Sequence, residues 1–237
     1  MNKNNIFDNY KDYGYWKFIS YPIEYQENRI NDFNVLRKLL ENSIVFLRGW
    51  DFPHIDRHGN YINVPEGIQS YTTSERVSSV EKWKLFKSGF FAFKSILIED
   101  LEKQSYGQKI NKGEVLSFVG TVYTITEFIF FIKRLYTSME INRCIRYEII
   151  LGNSFKRKLY CSPKEGKLPF LSDENYVNPN HTPINIIRKV DLLELQSNYK
   201  SLILNDCKEI FQLFQWNNPN IEQIKKDIDD FLNRKIY

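Results

Sequence analysis

Cysteine is scarce in this chain: three among 237 residues, Cys144, Cys161 and Cys207. The number is odd and no two stand at CxxC spacing, which argues against a disulfide framework and fits reduced thiols in a cytosolic protein. Histidine is equally rare, with three, and there is no HExxH. The phosphate-cradling patterns GxxxxGKS/T and GxGxxG are missing, as is the GxSxG nucleophile elbow, so nucleotide binding and hydrolysis of those kinds are not expected. The first ten residues are polar and lack the apolar core of a secretory signal. Net charge is only +4, too mild to announce a nucleic-acid protein by itself. No internal repeat, low-complexity tract or clear linker breaks the chain.

Long hydrophobic runs are nearly absent as well. The one candidate, from Val115 to Ile132, is long enough to raise a membrane span. Glu127 near its middle, several threonines and the lack of a second such run argue against one. Val115, Phe118, Val119, Val122, Ile125, Ile129, Ile132 and Leu135 follow helical spacing, with Phe128, Phe130 and Phe131 widening the stripe. This predicts a central helix, about 114–138, packed on several sides. Glu127 inside that stripe is expected either to be buried with a raised pKa or to pair with an arginine or a backbone amide.

Aromatic residues are plentiful, at 16% with 18 Phe and 15 Tyr, which suits a sheet with aromatic cross-strand pairs. Residues 1–12 read as a flexible lead. Tyr15 to Ile23 reads as a strand with Trp16, Phe18 and Ser20 on one face and Pro22 at an edge or at the end. Asn31 or Asp32 caps a helix to about Asn42. A loop follows at 56–67, with a strand near 68–73. Lys82–Lys87 and Phe90–Ile98 form two strands about a Ser88-Gly89 turn, and 99–112 reads as a polar loop. Ile141–Leu151 and Phe155–Cys161 read as a second hairpin about Gly152-Asn153. Ser162 to Pro183 reads as a long proline-bearing loop and Ile184–Leu195 as a strand. Helices from Tyr199, capped by Asn198, and from Pro219 to about Arg234 end the chain. The expected fold is α+β: a single domain over 13–237, an antiparallel or mixed sheet around the long helix, with two C-terminal helices.

The densest chemistry lies in Leu47-Arg48-Gly49-Trp50-Asp51-Phe52-Pro53-His54. Ser43 to Leu47 reads as a short strand, Gly49 as a turn, and Pro53 as its end. Arg48, Trp50, Asp51, Phe52 and His54 are thus displayed at a strand exit, where ligand- or partner-binding groups are often carried. Two readings stay open. In one, Trp50 stacks on a ligand and Arg48 or His54 meets an anion. In the other, Trp50 and Phe52 plug the core and Arg48 pairs with Asp51.

A second candidate is basic. Lys82, Lys84 and Lys87 alternate with Trp83 and Phe86, and Arg143, Arg146, Lys156, Arg157 and Lys158 give the following hairpin a local positive excess. Such residues can face phosphates and stack on bases, or simply be a solvated surface. A metal-dependent nuclease would have to use Asp51, Asp56 and Glu66 with Arg48 and His54, and a metal would need His54 and His58 beside them. Neither spacing matches a known signature, and no metal or cofactor is expected.

The ordered segments LRGWDFPHI, EKWKLFKSGFFAFKSILIED, TVYTITEFIFFIKRL, RYEIILGNSFKRKLY and EIFQLFQWNNPNIEQIKKDIDDFLNR together carry a resemblance, from about Tyr15 to Arg234. They resemble the C-terminal region of bacterial proteins that begin with a Schlafen-type, AlbA-like DNA-binding domain. Arg48-Gly49-Trp50 and Trp83 with Ser88-Gly89 are its most specific parts. The AlbA-like module is missing from this sequence, so its nucleic-acid binding does not carry over. The resemblance implies a cytoplasmic bacterial protein with a separately encoded partner or self-association, in defence or regulation. The expected function is a non-catalytic accessory, sensor or interaction subunit, with nucleic-acid binding as the alternative and a metal-dependent hydrolase behind it. No membrane association is expected.

Overall fold

The computed structural model describes residues 6–55, 61–74, 79–101, 111–141, 143–161 and 176–235. A 3-10 turn, Ile6–Tyr10, leads into β1 (Tyr15–Pro22), α1 (Phe33–Ser43) and two very short strands, β2 (Val45–Phe46) and β3 (Asp51–Phe52). Then come β4 (Ile62–Val64), β5 (Gly67–Ser74), β6 (Ser79–Phe86), β7 (Phe91–Ile96) and the single-turn α2 (Ile98–Leu101). The remainder is β8 (Val115–Ser117), α3 (Phe118–Ser138), β9 (Cys144–Gly152), β10 (Lys158–Tyr160), β11 (Ile184–Asp191), α4 (Leu192–Leu213) and α5 (Ile221–Leu232). Seven strands form one sheet in the order β11-β9-β1-β7-β6-β5-β4, every neighbouring pair antiparallel. The α+β class is as expected.

The helices cover one face of this sheet. Period-two alternation sends Trp16, Phe18 and Ser20 of β1 inward, where Phe18 stacks on Phe128 of α3 at 4.4 Å. α3 is apolar nearly all round because it also packs against α1, α4 and α5. No helix among the described residues is long and apolar enough to cross a membrane. Asp32 caps α1 as expected, accepting from the Asn34 and Val35 amides. Gly89, at φ +86°, turns β6 into β7.

Several boundaries differ from expectation, each for a local reason. The lead is structured from residue 6 onward, where Phe7 packs with Val80 and Ile96. α2 replaces the start of the loop expected after Ile98; residues 102–110 lie outside the described ones. α3 begins at Phe118, because Ser117 caps it and Val115–Ser117 pairs in parallel with β10. β11 stops at Asp191, whose carboxylate caps α4 seven residues before the expected Asn198, which instead marks a kink. Asn220 caps α5 just after Pro219.

The largest correction concerns the second hairpin. Both edges of β9 are occupied, by β1 and by β11, so the chain after Gly152 cannot fold back on it. It crosses instead to pair β10 with β8. On the way Arg157 turns inward, where Asp100 accepts from its Nη1 at 2.9 Å and from its Nη2 at 2.5 Å. Both side chains are fully buried, and Arg157 also donates to the Asn153 and Val115 carbonyls. Asp100 further accepts from the Gly14 and Gly113 amides. This buried pair ties α2, β1, β8 and β10 together, and Arg157 is not a surface residue.

Candidate functional site

The Arg48–His54 stretch forms a corner, not a strand exit. α1 runs to Ser43, and only Val45 and Phe46 remain extended, pairing with Phe52 and Asp51. Gly49, at φ +79°, closes the turn between them. Apolar side chains anchor it: Val45 is buried, and the Phe52 ring lies 4.7 Å from Phe93 and 5.7 Å from Phe131. The polar side chains are therefore the ones left to project. The corner is also pinned to β6, since His54 N donates to Glu81 Oε1 at 2.8 Å and Trp83 Nε1 donates to the His54 carbonyl at 2.8 Å.

Arg48 does not pair with Asp51. Its Nε donates to both Glu127 oxygens at 3.1 and 3.0 Å, its Nη2 contacts Glu127 again, and Nη2 reaches Thr124 Oγ1 at 3.1 Å. Asp51 instead meets His54 Nδ1 at 2.5 Å and accepts from the Ile55 amide. The His54 ring stacks on Trp50, centroids 3.7 Å apart. Of the two readings of the corner, Phe52 follows the structural one. Arg48, Trp50 and Asp51 line a cleft.

That cleft has a volume of about 370 Å³. Its floor is apolar, from Trp16, Phe52, Phe93 and Leu97. Gly120, Thr124 and Glu127 of α3, spaced to fall on one helical face, form one wall. Glu81 and Ser95 are cross-strand partners on β6 and β7, with Trp16 opposite Ser95 on β1. Glu99 enters from α2 and accepts from the Ser117 amide at 2.7 Å. At Gly120 a Cβ would crowd the capping Ser117 side chain at 3.0 Å and stand 3.7 Å from Glu99 Oε1.

Burial governs the electrostatics. Burial pushes the Glu81 carboxyl up to about 7, against the pull of the His54 amide and ring; Asp51 adds to the rise. The Trp50 indole N–H pulls weakly the other way without making a full hydrogen bond. Burial likewise raises Glu127, although the Arg48 guanidinium opposes it, and raises Glu99 against two backbone hydrogen bonds and the charge of Arg157. The cleft thus holds carboxyls that are costly to ionise, which a cation or a hydrogen-bond donor would relieve.

The predicted basic surface disperses. Lys84 is bound to Glu66, Arg143 to Glu24 and Arg146 to Glu148. Lys87 lies over the Phe33 ring and Lys156 over Phe155. Arg157 is buried, and Lys158 is exposed on β10, outside the large sheet. Lys82 is exposed on the sheet face that the helices leave uncovered. The hydrolase cluster is not assembled either: Asp51 lines the cleft while Glu66 holds Lys84 on the other face of the sheet. Asp56 and His58 lie outside the described residues. No three His, Cys, Asp or Glu side chains among the described residues are placed to hold a metal ion.

Glu81 and Glu99 belong to the site but escape a sequence reading. For Glu81 the signal existed: it stands two residues before Trp83, hence on the same inward face of one strand. No family model, no curated protein and no solved structure matches the chain.

Proposed function

We propose that this chain is a non-catalytic sensor or accessory subunit of a bacterial cytoplasmic complex, in defence or regulation as the Schlafen-type resemblance implies. Its cleft receives a cationic group, an ammonium or guanidinium, from a ligand or a partner protein. One observation carries this reading. Among the described residues, Asp51, Glu81, Glu99 and Glu127 line the cleft together with a single permanent cation, Arg48, which Glu127 already engages. A buried carboxyl without a counter-charge is held protonated. An entering cation removes that cost and releases the proton. Trp50 lines the same cleft, and an indole is the ring that cations prefer. The apolar floor suits the aliphatic stem that carries such a charge.

The test is calorimetric titration with L-argininamide and n-butylamine at pH 7, in two buffers of different ionisation heat. Saturable binding of at least one of them, with proton release, is expected, weakened at least tenfold in a Glu81→Gln/Glu99→Gln variant. Absence of saturable heat with both probes overturns the proposal, as does undiminished binding by the variant.

A further inference from the structure

The face of the sheet that the helices leave open, covered at one end by Phe7 on Val80 and Ile96, carries a feature that strand pairing alone does not favour. Lys17 of β1 sits directly opposite Lys94 of β7, and Lys94 sits directly opposite Lys82 of β6. Three ammonium groups therefore stand in one row across three strands, spanning about 10 Å at ordinary strand spacing. Like charges directly opposite destabilise a sheet, and this row repeats the arrangement twice. The remaining positions of the row offer no acid: Ile150 and Asn185 continue it on one side and Tyr71 on the other. Among the described residues, Glu148 on this face is engaged by Arg146, and Glu66 by Lys84. No ion pair involves Lys17, Lys82 or Lys94 among the described residues. The crowding registers on Lys94, whose pKa is lowered by burial and by the charge of Lys17.

Aromatic rings flank the row. Tyr71, at its end, is 44% exposed. The Lys94 ammonium lies 4.2 Å from the Tyr15 ring and 4.7 Å from that of the buried Phe7, and Tyr21 stacks on Phe90 at 5.5 Å on the same face.

We propose that this face binds single-stranded nucleic acid, with backbone phosphates along Lys17, Lys94 and Lys82 and a base stacked on Tyr71. A row of fixed cations selects a polyanion, because each phosphate bound offsets repulsion already present in the fold. The exposed ring of Tyr71 at the row's end selects an unpaired base, whose face is free to stack. A duplex hides those faces and asks for a helix or ribbon that enters a groove, whereas the row is a flat stretch of sheet. The proposal uses the opposite face of the sheet from the cleft and stands independently of the function proposed for it.

The experiment is fluorescence anisotropy of a labelled twelve-residue oligothymidylate against the full chain, from 50 to 300 mM salt. Competition by the matching duplex and by vesicles containing phosphatidylserine is measured in parallel. Binding is expected to weaken with salt, with a log–log slope of about −2 for three phosphates. Lys17→Gln/Lys82→Gln/Lys94→Gln should weaken binding at least tenfold and flatten the slope, while a Lys156→Gln/Lys158→Gln control leaves it unchanged. Tyr71→Ala, at a 44% exposed ring, should weaken it about fivefold or more. No binding at 50 mM salt overturns the proposal. So does equal loss in the control variant, equal competition by duplex, or preference for the vesicles.

Discussion

The two faces of one sheet make the instructive comparison. On the helix-covered face, β1, β7 and β6 present Trp16, Ser95 and Glu81 in a row. One residue along the same strands, on the uncovered face, they present Lys17, Lys94 and Lys82. The backbone is shared, and the pleat alone sends Glu81 to one face and the three lysines to the other. Burial makes the difference matter. A carboxyl inside the cleft is driven toward its neutral form, whereas the lysines on the open side stand directly opposite one another as like charges. The inner face is thus poised to take up a cation, and the outer face an anion.

The largest effect expected from breaking this arrangement lies at neither row. Arg157 is the basic residue that belongs to the interior, and Arg157→Met leaves Asp100 buried without its partner. A loss of about 3–5 kcal/mol in urea denaturation is expected; a loss below about 1 kcal/mol would place Arg157 with the solvated lysines after all.

Glu81 comes next. Its pKa rises from 4.5 to about 7 on folding, so between those values the folded state binds more protons than the unfolded state. Stability from this group is fully present below pH 4.5 and declines as pH rises to about 7, by on the order of 3 kcal/mol. Asp206, raised to about 6 by burial despite Tyr147 and Arg188, acts in the same direction. The readout is therefore the difference between wild-type and Glu81→Gln denaturation profiles. Glu81→Gln should show the shallower fall across this window; parallel profiles would place Glu81 in solvent.

Arg48→Met takes the guanidinium from Glu127. Because the Arg48 side chain is 33% exposed, the expected loss is discounted to about 2 kcal/mol at pH 8. It should shrink as pH falls, because burial raises Glu127 and lets it take up a proton instead. A loss independent of pH would assign the effect to packing.

The smallest change sharpens the outer face. Lys17→Glu turns a like-charge cross-strand pair into an opposite-charge one and should raise stability by about 0.5 kcal/mol at low salt. The gain should fade with added salt. A decrease at low salt would mean that Lys17 is compensated where it stands.

How much of this was legible beforehand follows from the range of the interactions. Period-two and helical spacing mark β1, the β6–β7 turn and α3, because those signals are local. Arg48 and Glu127 were each legible as residues needing an explanation, but their pairing spans 79 positions and no local pattern announces it. The false hairpin after Gly152 had sound turn chemistry. It failed because β9 already had two partners, a fact of topology. The lysine row was invisible for the same reason: Lys17, Lys82 and Lys94 become neighbours only once the register of three strands is fixed.

The most direct measurement is the titration of the Glu81 side-chain carboxyl by carbon-13 NMR, with and without L-argininamide. In the free protein a midpoint near 7 is expected, moving down toward the ordinary carboxylate range as the probe saturates the cleft. A midpoint near 4.5 in the free protein, or one that the probe leaves unmoved, would contradict a cleft built to receive a cation.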